Sequence, residues 1–327
     1  MEYRKLGESD LKLSTITFGA WAAGGWMWGS TDRHDAVEAI RASYDEGVTA
    51  IDTAPIYGQG TSEEIVGEAI KDIARDKVQL LTKFGMRWDL QSPKGDFAMH
   101  TKNNNGQEID VYKYAAKESV IKEVEDSLQR LGTDYIDLLQ IHWPDSTTPI
   151  SETMEAMELL LQQGKIRAAG VCNYNVQQLH EARESLAIVS NQVPYSMLNR
   201  AIEKELVPYA AEHTLGIIAY SPMERGLLTG KYRGETSLNE GDHRQQYFKK
   251  FQDKDISGFL DSIRPLAEDK GASLAQLVLR WTTLQPAITV VLAGARNKEQ
   301  AVSNAKAMQF NLSASELAMI GEALENL

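Results

Sequence analysis

The sequence predicts an α/β fold: a (β/α)8 TIM barrel with an N-terminal β-hairpin and extra C-terminal helices. Eight short apolar runs each precede a segment of helical periodicity, and strands that are apolar on both faces belong in a parallel sheet covered by helices. Eight such units are the number that closes a barrel. No Gly-x-Gly-x-x-Gly follows any of the runs, which weakens the rival reading, an open doubly wound nucleotide-binding sheet.

The elements follow in order. Tyr3 to Leu6 and Leu11 to Leu13 alternate around Gly7 to Asp10 and read as a β-hairpin of the kind that plugs the bottom of a barrel. Thr15 to Phe18 is a short strand. A glycine-rich loop carrying Trp21, Trp26 and Trp28 comes next, then a helix over Asp35 to Glu46 stopped by Gly47. Val48 to Asp52 leads to a helix over Ser62 to Lys71, and Val78 to Lys83 leads through a long connection to Ala116 to Leu131. Asp134 to Ile141 precedes the helix Ile150 to Gln163, Ile166 to Val171 precedes Val176 to Ser185, and Ile188 to Gln192 precedes Glu203 to His213. Gly216 to Tyr220 is followed by a loop and the helix Gly258 to Lys270. An extra helix, Leu274 to Leu284, comes before the eighth unit, Ile288 to Leu292 with Lys298 to Ala307. The last helix, Ser313 to Leu324, has Ser313 as its cap and Glu316 three residues on, a capping box. No linker interrupts the chain, so residues 1–327 read as one domain. The polar segment Trp88 to Asp110, with its Asn-Asn-Asn-Gly106, is too long for an ordinary connection and is expected to be a mobile flap or a partly disordered loop.

Composition narrows the function. The chain has 327 residues, 43% of them hydrophobic, and no apolar run approaching the roughly 18 to 20 residues that span a bilayer. The N-terminus lacks an apolar signal core, so the expectation is a soluble, cytoplasmic protein. A lone Cys172 excludes an intramolecular disulfide and a cysteine-based zinc cluster, and no metal site is read. The net charge of −12 argues against nucleic acid or an anionic membrane as partner. An anionic ligand therefore needs a locally basic site.

In a (β/α)8 barrel the C-terminal strand ends meet around one face, where chemistry is done. Asp52 ends the second strand with Tyr57 on the loop leaving it, Lys83 ends the third, and His142 ends the fourth. Each has a plainer reading: Asp52 as a turn cap, Tyr57 as a packed loop aromatic, His142 as a core histidine bonded to a backbone carbonyl. Lys83 resists one, because a lysine closing a buried apolar strand must be paired, and Asp52 on the adjacent strand is the natural partner. A carboxylate, a phenol, a lysine and a histidine at neighbouring strand ends form a proton-transfer constellation. The three tryptophans of the first loop either pack or wall an apolar pocket.

At DTAPIY (Asp52 to Tyr57), Lys83 and IHWPD (Ile141 to Asp145) the chain resembles the aldo-keto reductase superfamily. The resemblance continues through GKIRAAGVCN (Gly164 to Asn173), NQVPY (Asn191 to Tyr195), YSPMERGLLTGK (Tyr220 to Lys231) and GAR (Gly294 to Arg296). It spans essentially the full length and is nearest a bacterial branch that includes the general stress protein 69 type. It implies a barrel that reduces aldehydes and ketones with NAD(P)H. Tyr57 would be the general acid, Lys83 would lower its pKa toward the useful range, Asp52 would hold Lys83 charged, and His142 would orient and polarise the carbonyl.

The resemblance also implies a cofactor site. Asn173 and Gln192 match the residues that hold the nicotinamide carboxamide, and Cys172 stands where the family usually has a serine, a stronger donor than a thiol. Tyr220 matches the ring on which the nicotinamide stacks, and Trp21 lies with the cofactor residues. Ser221, Met223, Leu227, Gly230 and Lys231 match the loop over the pyrophosphate. Gly294, Arg296, Gln300 and Asn304 match the adenosine end, where a helix beginning near Asn297 offers backbone N–H groups to an anion. Ser303 departs from an acidic residue often found there. Arg296 beside Lys298 suggests a 2′-phosphate, hence NADPH (NADP+) over NADH.

The substrate would be a small carbonyl compound, with Trp26, Trp28 and Trp88 in its pocket. Specificity falls to the loops Trp21 to Trp28, Met86 to Lys113 and Arg233 to Asp255, which carry no readable code; the oligomeric state has none either. Two other function classes compete. One is a regulatory or scaffolding NADP(H)-binding protein with little turnover, like the potassium-channel β-subunits of this superfamily, which carry asparagine where His142 stands. The other is a barrel lyase or isomerase with no nicotinamide, which absorbance and fluorescence with NADPH would expose.

Overall fold

Eight parallel strands close into a barrel in the computed structural model, which describes residues 1–28, 31–232 and 242–327. We number the barrel strands β1 (Ile16–Gly19), β2 (Ala50–Asp52), β3 (Gln79–Phe84), β4 (Ile136–Ile141), β5 (Ile166–Cys172), β6 (Ile188–Pro194), β7 (Gly216–Tyr220) and β8 (Ile288–Gly294). Each pairs with the next, and β8 closes on β1 through Val291 opposite Ile16 and Gly294 opposite Gly19. Closure leaves no strand edge.

The helices Arg33–Asp45, Thr61–Ile70, Lys117–Leu131, Ile150–Gln162, Val176–Ser185, Leu206–Glu212, Ile256–Asp269 and Lys298–Ala305 lie between and after the strands. They bury the outward strand residues, such as Phe18, Ile51, Leu80, Leu139 and Val171, in the main core. Among the described residues, no helix is long and apolar enough to cross a membrane. The extra helices are Leu274–Thr283 and Ala314–Glu325. The latter carries the expected capping box: Ser313 N–H donates to Glu316 Oε2 at 2.7 Å, and Glu316 N–H to Ser313 Oγ at 3.3 Å. The helix expected over Glu203 to His213 starts only at Leu206. Pro208 has no N–H to donate, so it is confined to the first turn.

Side chains two residues apart on a strand share a face, and this period builds the site. Ala50, Leu81, Leu138 and Ile218 fill the barrel interior, and the residues two positions later, Asp52, Lys83, Gln140 and Tyr220, form the polar layer above them. The lower end is stoppered by the antiparallel hairpin Tyr3–Lys5 with Lys12–Ser14, whose Leu6, Leu11 and Leu13 join that interior cluster. The turn must be tight against the barrel. Gly7 has φ +54, and a Cβ there would stand 2.3 Å from the Val189 carbonyl oxygen.

One expectation is corrected. Within the polar segment Trp88 to Asp110, the chain forms no loose flap but a three-stranded antiparallel sheet of Met86–Arg87, Asp96–Lys102 and Glu108–Lys113. Its tip is a turn in which Asn103 Oδ1 accepts from the N–H groups of Asn105 and Gln107, and Gly106 takes φ +77. The sheet is fastened to the first loop: Trp26 Nε1 donates to the Lys102 carbonyl at 3.0 Å and Asn104 Nδ2 to the Gly24 carbonyl at 2.9 Å. Beneath it Trp26, Ala54, Ile56, Met86 and Val111 make a separate apolar cluster. Those partners come from distant parts of the chain, so the segment's own polarity misleads.

Candidate active site

The floor of the site is an ion pair. Lys83 Nζ lies 2.5 Å from Asp52 Oδ1, with side-chain exposures of 0% and 3%. A second N–H of Lys83 goes to the Thr53 carbonyl at 2.9 Å. Asp52 Oδ2 accepts from Gln192 Nε2 at 2.9 Å and from Gln140 Nε2 at 3.3 Å. Both carboxylate oxygens and two of the three ammonium protons are thus satisfied, as a buried pair requires. Burial pulls the Lys83 pKa down, but Asp52 more than compensates, so the amine is held above its ordinary value and charged.

Tyr57 and His142 sit over this pair. Lys83 Nζ is 5.0 Å from the centroid of the Tyr57 ring, and the His142 ring meets the same ring edge-on at 5.6 Å. Burial pushes the phenol up to about 12, against the pull of Lys83. The expectation that Lys83 brings this pKa down into the useful range is therefore right in direction and outweighed in size. Burial, and then the Lys83 charge, hold the His142 imidazole well below its ordinary 6.5, so it is neutral. Among the described residues the His142 backbone, not its ring, is hydrogen-bonded: its N–H donates to the Phe84 carbonyl and its carbonyl accepts from Asn173 Nδ2.

These residues open into a cavity of about 660 Å3 between the strand ends and the loops above them. At its inner wall Tyr220 OH donates to Asn173 Oδ1 at 3.0 Å, and Asn173 Nδ2 to the His142 carbonyl at 3.0 Å. An amide can make four hydrogen bonds, so Asn173 keeps two. Gln192 has spent both N–H groups, on Asp52 and on Gln140 Oε1 at 3.2 Å, leaving its oxygen as an acceptor. Asn173 and Ser221, each just past a strand end, take left-handed φ of 60 and 55, a strain that gathers at functional sites. The Cys172 thiol is buried, 3.9 Å from Gln140 Oε1, and burial raises its pKa, so it stays protonated.

The cavity continues outward between β8 and β1, where Gly294 pairs with Gly19. A Cβ at Gly294 would meet only the Gly19 carbonyl oxygen, at 3.5 Å, so a side chain would occupy open cavity, not clash. Arg296, Gln300 and Asn304, which follow β8, line the same cavity, as does Lys231 from the loop after β7. Among the described residues neither the Arg296 guanidinium nor the Lys231 ammonium has a protein partner. Gln300 and Asn304 are partly committed: Gln300 Oε1 accepts from Arg296 N–H at 3.0 Å, and Asn304 Nδ2 donates to the Gly294 carbonyl at 3.0 Å. The helix start offers less than expected, because Asn297 Oδ1 already caps the Gln300 N–H. Amide groups at one end and unpaired cations at the other suit an elongated ligand with a carboxamide and phosphates, such as a nicotinamide dinucleotide.

Trp21, Trp26, Trp28 and Met223 line the cavity. Trp88 is not among the lining residues and packs instead against the Trp26 cluster. Leu227, half-buried, packs against the core, and Gly230 makes a left-handed turn where a Cβ would come 2.9 Å from Leu274. Of the loop Arg233 to Asp255, residues 233–241 lie outside the described residues; the remainder supplies Arg244 to the lining. Sequence reasoning missed Gln140, Arg225, His243 and Glu299. Gln140 looks like any strand residue, though its place two positions before His142 on the same face was a usable signal.

The comparisons agree with one another. The Aldo/keto reductase family model matches residues 15–325. The chain is 39% identical to aldo-keto reductase YhdN of Bacillus subtilis (strain 168), over all of this chain and 94% of that protein. It is 34% identical to the NADH-specific methylglyoxal reductase of Escherichia coli (strain K12), over 98% of each. Among solved structures, the glycerol dehydrogenase AKR11B4 of Gluconobacter oxydans superposes with a TM-score of 0.87 at 36% identity, covering 99% of this chain and 95% of that one.

Proposed function

The chain belongs to the aldo/keto reductase family, and from that premise we propose that it reduces aldehydes and ketones to alcohols with NADPH, Tyr57 acting as the general acid. The observation that carries this reading is the buried Asp52–Lys83 pair beneath Tyr57, with a neutral His142 beside the phenol, at the floor of the cavity.

NADPH, when bound, supplies the hydride that adds to the carbonyl carbon. Asn173 and Gln192 would hold its carboxamide, Tyr220 would lie against its ring, Lys231 would face its pyrophosphate and Arg296 its 2′-phosphate. The proton is the chain's own task. Tyr57 keeps its proton at neutral pH and can deliver it to the carbonyl oxygen as negative charge develops there. Lys83 has one N–H left after Asp52 and the Thr53 carbonyl, and it stabilises the phenolate that remains. His142, neutral, donates or accepts a hydrogen bond without adding a charge that would compete with Lys83. Trp21, Trp26 and Trp28 exclude water from the reacting atoms.

The test is direct. NADPH and NADH are titrated against the purified protein by fluorescence, and a panel of aldehydes, ketones and sugars is assayed by NADPH oxidation. Saturable binding with turnover of some panel members is expected. Tight binding with no turnover across the panel would favour the regulatory or scaffolding reading, and absence of nicotinamide binding would end both.

A further inference from the structure

Arg225 lines the cavity and has no hydrogen-bond or ion-pair partner among the described residues. Its Nε is removed from solvent with nothing to donate to. A guanidinium cannot shed its charge in a protein, and charges taken out of water are normally paired. The nearby carboxylates are already spent. Glu224 accepts from Ser196 Oγ and Tyr247 OH, and Asp242 is paired with Arg244, Oδ1 to Nε at 2.9 Å.

The guanidinium lies against two rings, its carbon 3.8 Å from the Tyr247 centroid and 5.1 Å from that of Trp21. Such stacking orients a guanidinium without neutralising it. The backbone enforces the position: Glu224 and Arg225 take φ of 47 and 56, followed by Gly226 at 99, three left-handed residues in a row. Consecutive left-handed non-glycine residues are strained and persist where the surroundings demand them. Trp21 also stacks on Tyr57 at 6.0 Å, so Arg225 and Tyr57 share one ring as a neighbour. His243, packed on the same Trp21 ring at 5.1 Å, donates from Nδ1 to the Met27 carbonyl and supplies no negative charge.

We propose that Arg225 is a specificity-determining residue that receives an anionic group of the substrate, so that the preferred carbonyl compounds carry a carboxylate a few bonds from the reacting carbon. This rests on the carbonyl-reductase reading above. The ligand, on this view, supplies the counterion the protein withholds. The same guanidinium chemistry could serve the cofactor's pyrophosphate, and the experiment separates the two sources.

The probe pair is 4-carboxybenzaldehyde and its methyl ester, alike in shape and different in charge, assayed at saturating NADPH with wild type, Arg225→Met and Arg225→Lys. Methionine keeps the stacked volume between Trp21 and Tyr247, and lysine keeps the charge. Wild type should favour the acid. The acid-to-ester ratio of kcat/KM should fall roughly 10- to 150-fold in Arg225→Met, the range for hydrogen bonds to charged groups, mainly through KM, and recover in part in Arg225→Lys. Calorimetric titration of 4-carboxybenzyl alcohol onto the NADP+-loaded protein should show the same order without turnover. An unchanged ratio with weakened NADPH binding would assign Arg225 to the pyrophosphate, and no change in either would leave it a stacking residue; both overturn the proposal. A wild type that reduces neither aldehyde would count against the reductase reading, while the calorimetry still decides whether Arg225 binds the carboxylate.

Discussion

Lys83 Nζ stands 2.5 Å from Asp52 Oδ1, and the other oxygen of the same carboxylate is held by Gln192 Nε2 at 2.9 Å. One carboxylate therefore ties the lysine beneath Tyr57 to a residue at the inner wall of the cavity. Gln192 comes from β6, on the far side of the barrel from β2 and β3. The pair is fixed from both directions, which is what allows two charges to stay in a dry barrel interior.

Tyr57→Phe tests the proton donor. The phenol lines the cavity above the Asp52–Lys83 pair and keeps its proton at neutral pH, so on the proposed reading its loss should lower kcat by about 10² or more. NADPH affinity, read by fluorescence titration, should stay within a few-fold. Retention of more than roughly a tenth of the wild-type kcat would mean that another group is the acid.

Lys83→Met tests the floor. Activity should be lost with the charge that steadies the Tyr57 phenolate, and Asp52 should be left buried without its partner. Breaking a buried pair on one side costs about 3–5 kcal/mol, so the denaturation midpoint should fall clearly. An unchanged unfolding curve would contradict the buried contact between Asp52 and Lys83.

The pH profile follows from two shifts. A general acid works while protonated, and the Tyr57 pKa is raised to about 12, so its contribution is complete at neutral pH and is lost only as pH climbs toward that value. His142 is lowered well below 6.5, so it remains neutral as pH falls through the ordinary histidine range. Reduction, followed as kcat/KM, should be level from about pH 6 to about pH 9. A descending limb centred near pH 7 to 8 would show that the Lys83 field overcomes burial in the working complex.

Strand-end reasoning reached Asp52, Lys83 and His142 because one local rule, side chains two apart sharing a face, places them above the apolar interior residues. Arg225 and His243 had no such rule to reveal them. Their significance lies in which carboxylates are already engaged, a tertiary fact. The sheet Asp96–Lys102 with Glu108–Lys113 was illegible for a local reason: a register shift between Phe97 and Met99 brings both Ala98 and Met99 onto the Trp26 cluster and breaks the alternation that marks a strand. The Tyr57 shift was misjudged because the sequence names the neighbouring charge and is silent on the depth of burial.

Arg296 carries the cofactor prediction. NADPH and NADH differ by a 2′-phosphate alone, and a guanidinium binds that group through charge-assisted, often bidentate hydrogen bonds. Among the described residues the Arg296 guanidinium has no partner, its backbone N–H alone being engaged, by Gln300. Glu299 and Ser303 line the same wall, and a carboxylate there would oppose a phosphate, so the balance rests on the arginine. A relative 34% identical is named NADH-specific, so membership of the family does not by itself fix the preference. Hydrogen bonds to charged groups contribute about 1.5 to 3 kcal/mol, so Arg296→Ala should weaken NADPH roughly 10- to 150-fold and change NADH little. Paired fluorescence titrations of wild type and variant read this, and kcat at saturating cofactor should be nearly preserved because Arg296 lies at the opposite end of the cavity from Tyr57. Equal weakening of both cofactors would move Arg296 to the pyrophosphate or to the fold. If neither affinity changed, Arg296 would be a solvated arginine and phosphate recognition would pass to Lys298 or to another loop.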